Sequence, residues 1–256
     1  RKGMIGEEEI CSVKERSIEE IIEICDGKLK MMTIAPETEG IKNVVKKLFK
    51  NEVIPSIGHT DATFDETQEV IKMGVNHVTH LFNAMRPFHH REPGVIGAVL
   101  FNNDFTYQII GDGKHLHPQL IKYIFEVKGP FKFCLISDGM GAIGFSDGNY
   151  KYKDLEYFLK DGAAYYEDGT LIGTALPQIE LLKRMIKITG LSFEELLITA
   201  TITPAKLLGI YDKKGTLEEG KDADMVILNR NMEVEMTIVE GEIIYKKEEV
   251  KNGNKV

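Results

Sequence analysis

GHTDAT (residues 58–63) and THLFNAM (residues 79–85) each close a short apolar run, VIPSI (53–57) in the first case and VNHV (75–78) in the second. His59 and His80 therefore stand where β-branched residues stop and polar or turn-forming residues begin. In a parallel α/β protein that place is the carboxyl edge of the sheet, where side chains converge on a ligand. Two imidazoles on successive strand ends suit a divalent metal, because neutral ring nitrogens from neighbouring strands can meet one ion. For either histidine alone, satisfaction by local backbone hydrogen bonds is the more ordinary reading. The pair reverses that preference.

Two further strand ends of the same kind follow. TYQIIGDGKHLHP (106–118) is an apolar run ending in Asp112, Gly113 and His115, and FKFCLISDGMGAIG (131–144) is a buried run ending in Asp138 and a glycine-rich turn. Glycine lets backbone approach a ligand closely, and a carboxylate there is placed for general base work or metal ligation. An Asp before Gly is commonly only a turn former. Four polar strand ends in succession argue against four separate turn accidents.

With 256 residues, 43% of them hydrophobic, the chain can bury one large core. A single α/β barrel of about 250 residues is an ordinary size. The net charge of -8 and the lack of a long basic run argue against a nucleic-acid surface. Cys11, Cys25 and Cys134 are odd in number and widely spaced, which predicts reduced thiols in a cytoplasmic protein. No apolar run reaches the roughly 18 residues of a membrane span, and no signal-peptide pattern opens the chain. Arg1 and Lys2 stand where a methionine would, so the chain is expected to be a piece of something longer.

Apolar periodicity alternates along the chain. Helices are predicted over 17–25 (Ser17 as N-cap, Glu20 in the capping-box position), 39–50, 65–73 and 118–127, and strands over 29–34, 53–57, 75–79, 106–110 and 131–136. Residues 86–94 read as a long polar segment. Such alternation is the pattern of a parallel sheet with crossover helices. Residues 152–167 read as a short β insertion with Asp-Gly turns at Asp161 and Asp168. Helices follow over 178–189 and 193–201, with a short turn near Pro204. Residues 1–214 thus form the main α/β domain, and 215–256, rich in short strands, a small β module. The barrel-like strands end at Pro36, Gly58, His80, Gly111 and Ser137. That is five strand ends, so the sheet is either open or completed by strands before Arg1.

GHTDAT, HLFNAM, REPG (91–94), DGKHLHP and SDGMGAIG resemble, in that order, the N-acetylglucosamine-6-phosphate deacetylase family of the amidohydrolase superfamily. The resemblance runs from TIAPE (33–37) to GKDADMVILN (220–229). The latter occurs across many amidohydrolases, and HLFNAM followed by REPG is the more specific combination. The resemblance implies a (β/α)8 TIM-type barrel, of which this chain holds strands 4–8, with a small β-sandwich built from both chain ends. It implies hydrolysis of the acetamide of N-acetylglucosamine 6-phosphate by metal-activated water, with one or two Zn2+ or Fe2+ ions. A cytoplasmic homodimer is expected, acting on a phosphorylated amino sugar and not on nucleic acid or membrane.

Carried over by residue, the resemblance makes His59 and His80 metal ligands and Asp138 the catalytic carboxylate. His115 contacts the substrate and the reacting carbonyl. Asn83 and Ala84 hold the phosphate side, and Arg91 reaches the phosphate across the dimer interface. Leu171, Ile172 and Gly173 form a loop over the sugar. The family's metal-binding glutamate, in an LEGP-type motif, and its upstream HxH pair do not occur in this sequence. Met4 or Ile5 stands where some members carry a substrate-contacting histidine. An incomplete metal site within residues 1–256 is therefore expected.

Other residues have plainer readings. Strand alternation turns His77 away from His80, toward packing or the surface. His89 and His90 are exposed or contact phosphate, and His117 starts a helix. Glu37 is a strand-end carboxylate, either a cap or a site residue. Without the motif, Arg91 would pair with Glu92 at the surface. Two other functions remain open: a metal-dependent hydrolase of a cyclic amide or ureide, which needs no Arg91, and a metal-free inactive scaffold.

Overall fold

The computed structural model of the chain describes residues 1, 3, 18–152 and 155–247. The predicted cap at Ser17, together with Met4, Ile5 and Cys11, lies outside the described residues. Five strands, β1 (Met31–Ile34), β2 (Ile54–Ile57), β3 (His77–Val78), β4 (Thr106–Ile110) and β5 (Phe133–Ile136), pair in parallel in chain order. Helices α2 (Ile41–Lys50), α3 (Phe64–Ile71), α4 (Gly94–Leu100) and α5 (Pro118–Lys128) make the four crossovers, after α1 (Ile18–Ile24). This is the expected run of barrel strands, and its carboxyl edge collects the residues that follow each strand.

The local causes are visible in the sequence. Helix α2 places Ile41, Val44, Val45 and Leu48 on one stripe, and all four are buried. At α3, Thr63 accepts from the Glu66 amide while the Glu66 carboxylate accepts from the Thr63 amide, a complete capping box. His117 caps α5 through its ring, accepting from the Gln119 amide, and Pro118 opens the helix as predicted. Helix α4 was not predicted. Its GVIGAVL sequence has no polar face, because Gly94 to Val99 are buried all round, and a uniformly apolar segment carries no helical period.

The β insertion is wider than expected. β6 (Gly148–Tyr152), β7 (Leu155–Lys160), β8 (Ala163–Tyr165) and β9 (Leu171–Thr174) form an antiparallel sheet in that order. Leu171, Ile172 and Gly173 are therefore strand, which corrects the expected loop. Ala163 pairs with Thr174 and Ala164 with Gly173, while Ile172 is buried in a small core with Tyr157 and Leu159. Helices α6 (Gln178–Thr189), α7 (Phe193–Leu197) and α8 (Ile202–Leu207) return to the main core, where Leu181 and Met185 pack with β-strand residues such as Ile109 and Leu135. A three-stranded antiparallel module, β10 (Met225–Leu228), β11 (Val234–Val239) and β12 (Glu242–Lys246), ends the described chain.

Candidate active site

His59 and His80 follow β2 and β3, which are neighbours in the sheet. Both adopt the left-handed backbone, with φ of 48° and 27°. For residues other than glycine this conformation is costly and persists where surrounding contacts enforce it. Those contacts centre on Thr60. Its amide donates to the Ala84 carbonyl at 3.0 Å, its carbonyl accepts from the Arg86 amide at 3.0 Å, and it bridges Met85. Its hydroxyl donates to the Glu37 carboxylate and accepts from the Ala62 amide at 2.9 Å. Glu37, just beyond β1, also accepts from the Asp61 amide at 2.7 Å. Three strand ends are thereby tied together, and the two imidazoles meet edge to face with ring centroids 4.8 Å apart. Beneath them Ser56 and Thr33 both hydrogen-bond the Thr79 hydroxyl, at 2.6 and 3.0 Å. Gly58 must lack a side chain here, since a Cβ would come within 2.8 Å of Thr79.

The ring environments suit metal ligation in chemistry and fall short in number. The His59 Nδ1 lies 3.0 Å from the Arg1 carbonyl, which can only accept, so Nδ1 carries a proton. Burial, helped by the nearby His59, pushes the His80 imidazole below its ordinary value against the pull of Asp138. His80 is thus neutral, and its buried Nδ1 has no hydrogen-bond partner among the described residues. Neutral rings with free lone pairs are what a divalent ion requires. Among the described residues, however, no three His, Cys, Asp or Glu side chains come together as a metal cluster.

Asp138 follows β5 and also has a left-handed backbone, with φ of 46°. Strand β9 lies against it: Thr174 donates its amide to the Asp138 carbonyl at 3.3 Å and its hydroxyl to Ser137 at 2.9 Å. A Cβ on Gly173 would sit 2.8 Å from the same Asp138 carbonyl, so glycine is demanded by close approach. Gly173 and Thr174 are thereby placed beside Asp138, while Leu171 pairs with Tyr165 further along β9.

The remaining residues are arranged as follows. Asn83 donates its side-chain amide back to the His80 and Leu81 carbonyls at 3.2 and 3.3 Å, closing the turn that Ala84 continues. His115, after β4, hydrogen-bonds the Asp112 carboxylate at 2.7 Å. Arg91 is exposed, and its hydrogen bonds stay within its loop, to His90 and His89 at 2.8 and 3.2 Å. It is not paired with Glu92, whose carboxylate instead accepts from the Phe64 and Gly94 amides. His77 is fully buried and bonds the Thr106 hydroxyl at 2.7 Å. A cavity of about 660 Å³ opens at the opposite, amino end of the sheet between Pro55, Thr106, Phe131 and Leu207 and shares no residue with the histidine edge.

Sequence reading missed Thr60 and the bond between Asp112 and His115. Thr60 carries no recognisable signal, since its partners lie on other strands. Asp112 does carry one: an Asp three residues before His115 is within reach of its ring.

The amidohydrolase family model matches residues 12–244. The chain is 40% identical over 219 residues to an N-acetylglucosamine-6-phosphate deacetylase of Bacillus subtilis, covering 86% of this chain and 55% of that protein. A solved structure of N-acetylglucosamine-6-phosphate deacetylase from Thermotoga maritima superposes with a TM-score of 0.86 at 37% identity, over 96% of this chain and 66% of that one. The Mycobacterium smegmatis enzyme, solved as a D267A mutant in complex with N-acetyl-D-glucosamine-6-phosphate, gives 0.81 at 32% identity, over 88% and 60%. The chain spans little more than half the length of the curated relative.

Proposed function

We propose, from the premise that this chain belongs to the amidohydrolase family, that the whole protein hydrolyses the acetamide of N-acetylglucosamine 6-phosphate to glucosamine 6-phosphate and acetate. The observation that carries this reading is the pair of imidazoles on adjacent strand ends, their ring centroids 4.8 Å apart, with His80 held neutral by burial against the charge of Asp138. The family is generally metal-dependent, and His59 and His80 would hold a Zn2+ or Fe2+ ion. Such an ion supplies Lewis-acid polarisation and acidifies a bound water to a pKa of about 7. Asp138 takes the water proton and returns it to the leaving amine nitrogen. His115 meets the substrate from the neighbouring strand end.

The phosphate side is assigned to the HLFNAM turn. There φ is positive at His80, Phe82 and Ala84 and negative between them. In this tight turn the Leu81 and Asn83 amides already donate to the Gln108 and His80 carbonyls at 2.9 Å each. Arg91, exposed and unengaged by a carboxylate among the described residues, is assigned to the phosphate of a neighbouring subunit in a homodimer, where its planar fork donates in parallel. A cytoplasmic setting accords with this substrate. Among the described residues no helix is long and apolar enough to cross a membrane.

The test is deacetylation of N-acetylglucosamine 6-phosphate compared with the unphosphorylated sugar, in the wild type and in Arg91→Ala. Arg91→Ala is expected to raise KM for the phosphorylated sugar on the order of 10-fold, equal to about 1.4 kcal/mol of binding. Equal rates on both sugars in the wild type would sink the phosphate reading, and no deacetylation of either would sink the reaction.

A further inference from the structure

Asp112 is fully buried at the end of β4, and both of its carboxylate oxygens are occupied. Oδ1 accepts from the Lys114 and His115 amides, each at 2.9 Å, and Oδ2 faces His115 Nδ1 at 2.7 Å. The His115 side chain is itself 7% exposed. The Asp112 carbonyl is pinned by the Arg184 guanidinium of α6 at 3.0 Å. Arg184 also holds the Asp161 carbonyl and carboxylate, and Lys114 pairs with that carboxylate at 2.7 Å. Burial alone pushes the Asp112 carboxyl up. The bond and charge of His115 and the two amides outweigh it, leaving the group below the usual carboxylate range and ionised. An ionised carboxylate only accepts, so the proton between the two side chains belongs to His115 Nδ1.

We propose that Asp112 is a positioning residue that keeps the proton of His115 on Nδ1, so that the ring in its neutral form presents Nε2 to the substrate as a hydrogen-bond acceptor. This rests on the reading of His115 as a substrate contact. It also narrows it. In that form the ring meets a hydroxyl or N–H donor of the ligand through Nε2 and does not donate to the acetyl oxygen. The arrangement follows the rule that the partner of one ring nitrogen decides the state of the other.

The plainer account is that Asp112 only forms the turn through Gly113, whose φ is 71°, and that its third bond is incidental. Asp112→Asn separates the two. The asparagine oxygen can keep the two backbone amides and the turn, whereas its nitrogen can only donate, so His115 Nδ1 must become the acceptor and the proton must move to Nε2. The readout is the two-bond proton–nitrogen spectrum of the histidine rings at pH 8, with the His115 signals assigned from their loss in His115→Gln. The wild type is expected to show protonated Nδ1, and Asp112→Asn protonated Nε2. Asp112→Asn is also expected to lower kcat/KM by about 10- to 100-fold with little change in Tm. Protonated Nε2 in the wild type would overturn the proposal, as would Nδ1 keeping its proton in Asp112→Asn. If Asp112→Asn does not fold, the wild-type spectrum still decides. If the wild type proves to lack deacetylase activity, the proposed function fails while the ring spectra still report on Asp112.

Discussion

His77 and His80 lie three residues apart and meet opposite fates, because one faces the packed side of the sheet and the other its carboxyl edge. His77 is fully buried, with its Nε2 lacking a hydrogen-bond partner among the described residues, and burial lowers its pKa from 6.5 to about 4. Between those values the unfolded chain binds a proton at this position that the folded chain refuses. The stability contribution is therefore fully present above about pH 7 and is lost as pH falls through the window from 6.5 to 4. The shift corresponds to roughly 3 kcal/mol by the lower end of that window. We expect the urea midpoint to fall more between pH 7 and pH 4.5 in the wild type than in His77→Gln, which removes the titrating ring while keeping a polar side chain near Thr106. Parallel losses in the two proteins would assign the acid sensitivity to other groups.

At the scale of elements, the site depends on short pieces held at both ends. The turn after His59 leads directly into α3, so the helix cap and the histidine turn share residues. Thr63 closes the capping box with Glu66, and Glu92, from the loop that bears Arg91, accepts from the Phe64 amide at the same helix start. The α3 start thus joins the histidine turn to the REPG loop. Thr63→Ala should cost about 1 kcal/mol of stability, measurable as a lower urea midpoint with unchanged slope. A loss below about 0.3 kcal/mol would mean that Glu92 caps the helix sufficiently without Thr63. Strand β9 acts in the same way on the other side, where pairing with the segment after β5 sets Gly173 against Asp138.

Across the whole molecule, burial is uneven. Strands β2 and β5 each bury three of their four residues, as expected for a parallel sheet covered on both faces, whereas no residue of β10, β11 or β12 is buried. Local opening is easiest where few apolar contacts oppose it. Hydrogen exchange should therefore be faster over residues 225–246 than over β2, β4 and β5, and equal protection would show that the β module is held as firmly as the sheet. The GKDADMVILN segment contributes to what holds it. Lys214 pairs with Asp222 and Asp224, and Lys221 donates to the Tyr211 carbonyl and Thr216 hydroxyl at 2.6 Å each.

Strand, helix and edge were determined by the chain itself. Alternating short apolar runs, the Ile41-Val44-Val45-Leu48 stripe, the Thr63–Glu66 spacing and Pro118 are local signals, and local backbone preference decides such elements. The placement of His59, His80, His115 and Asp138 just past strand ends was legible for the same reason, although their chemical roles stand as proposals. Helix α4 escaped because a segment buried on every side has no period to read. Tertiary structure alone decided that the two imidazoles approach to 4.8 Å, that Glu37 and Thr60 lock the left-handed turn between them, and that β9 lies beside Asp138. Each of these contacts joins residues at least 21 positions apart, from His59 to His80, and no local preference encodes a distance across strands. Packing of the sheet brings them together.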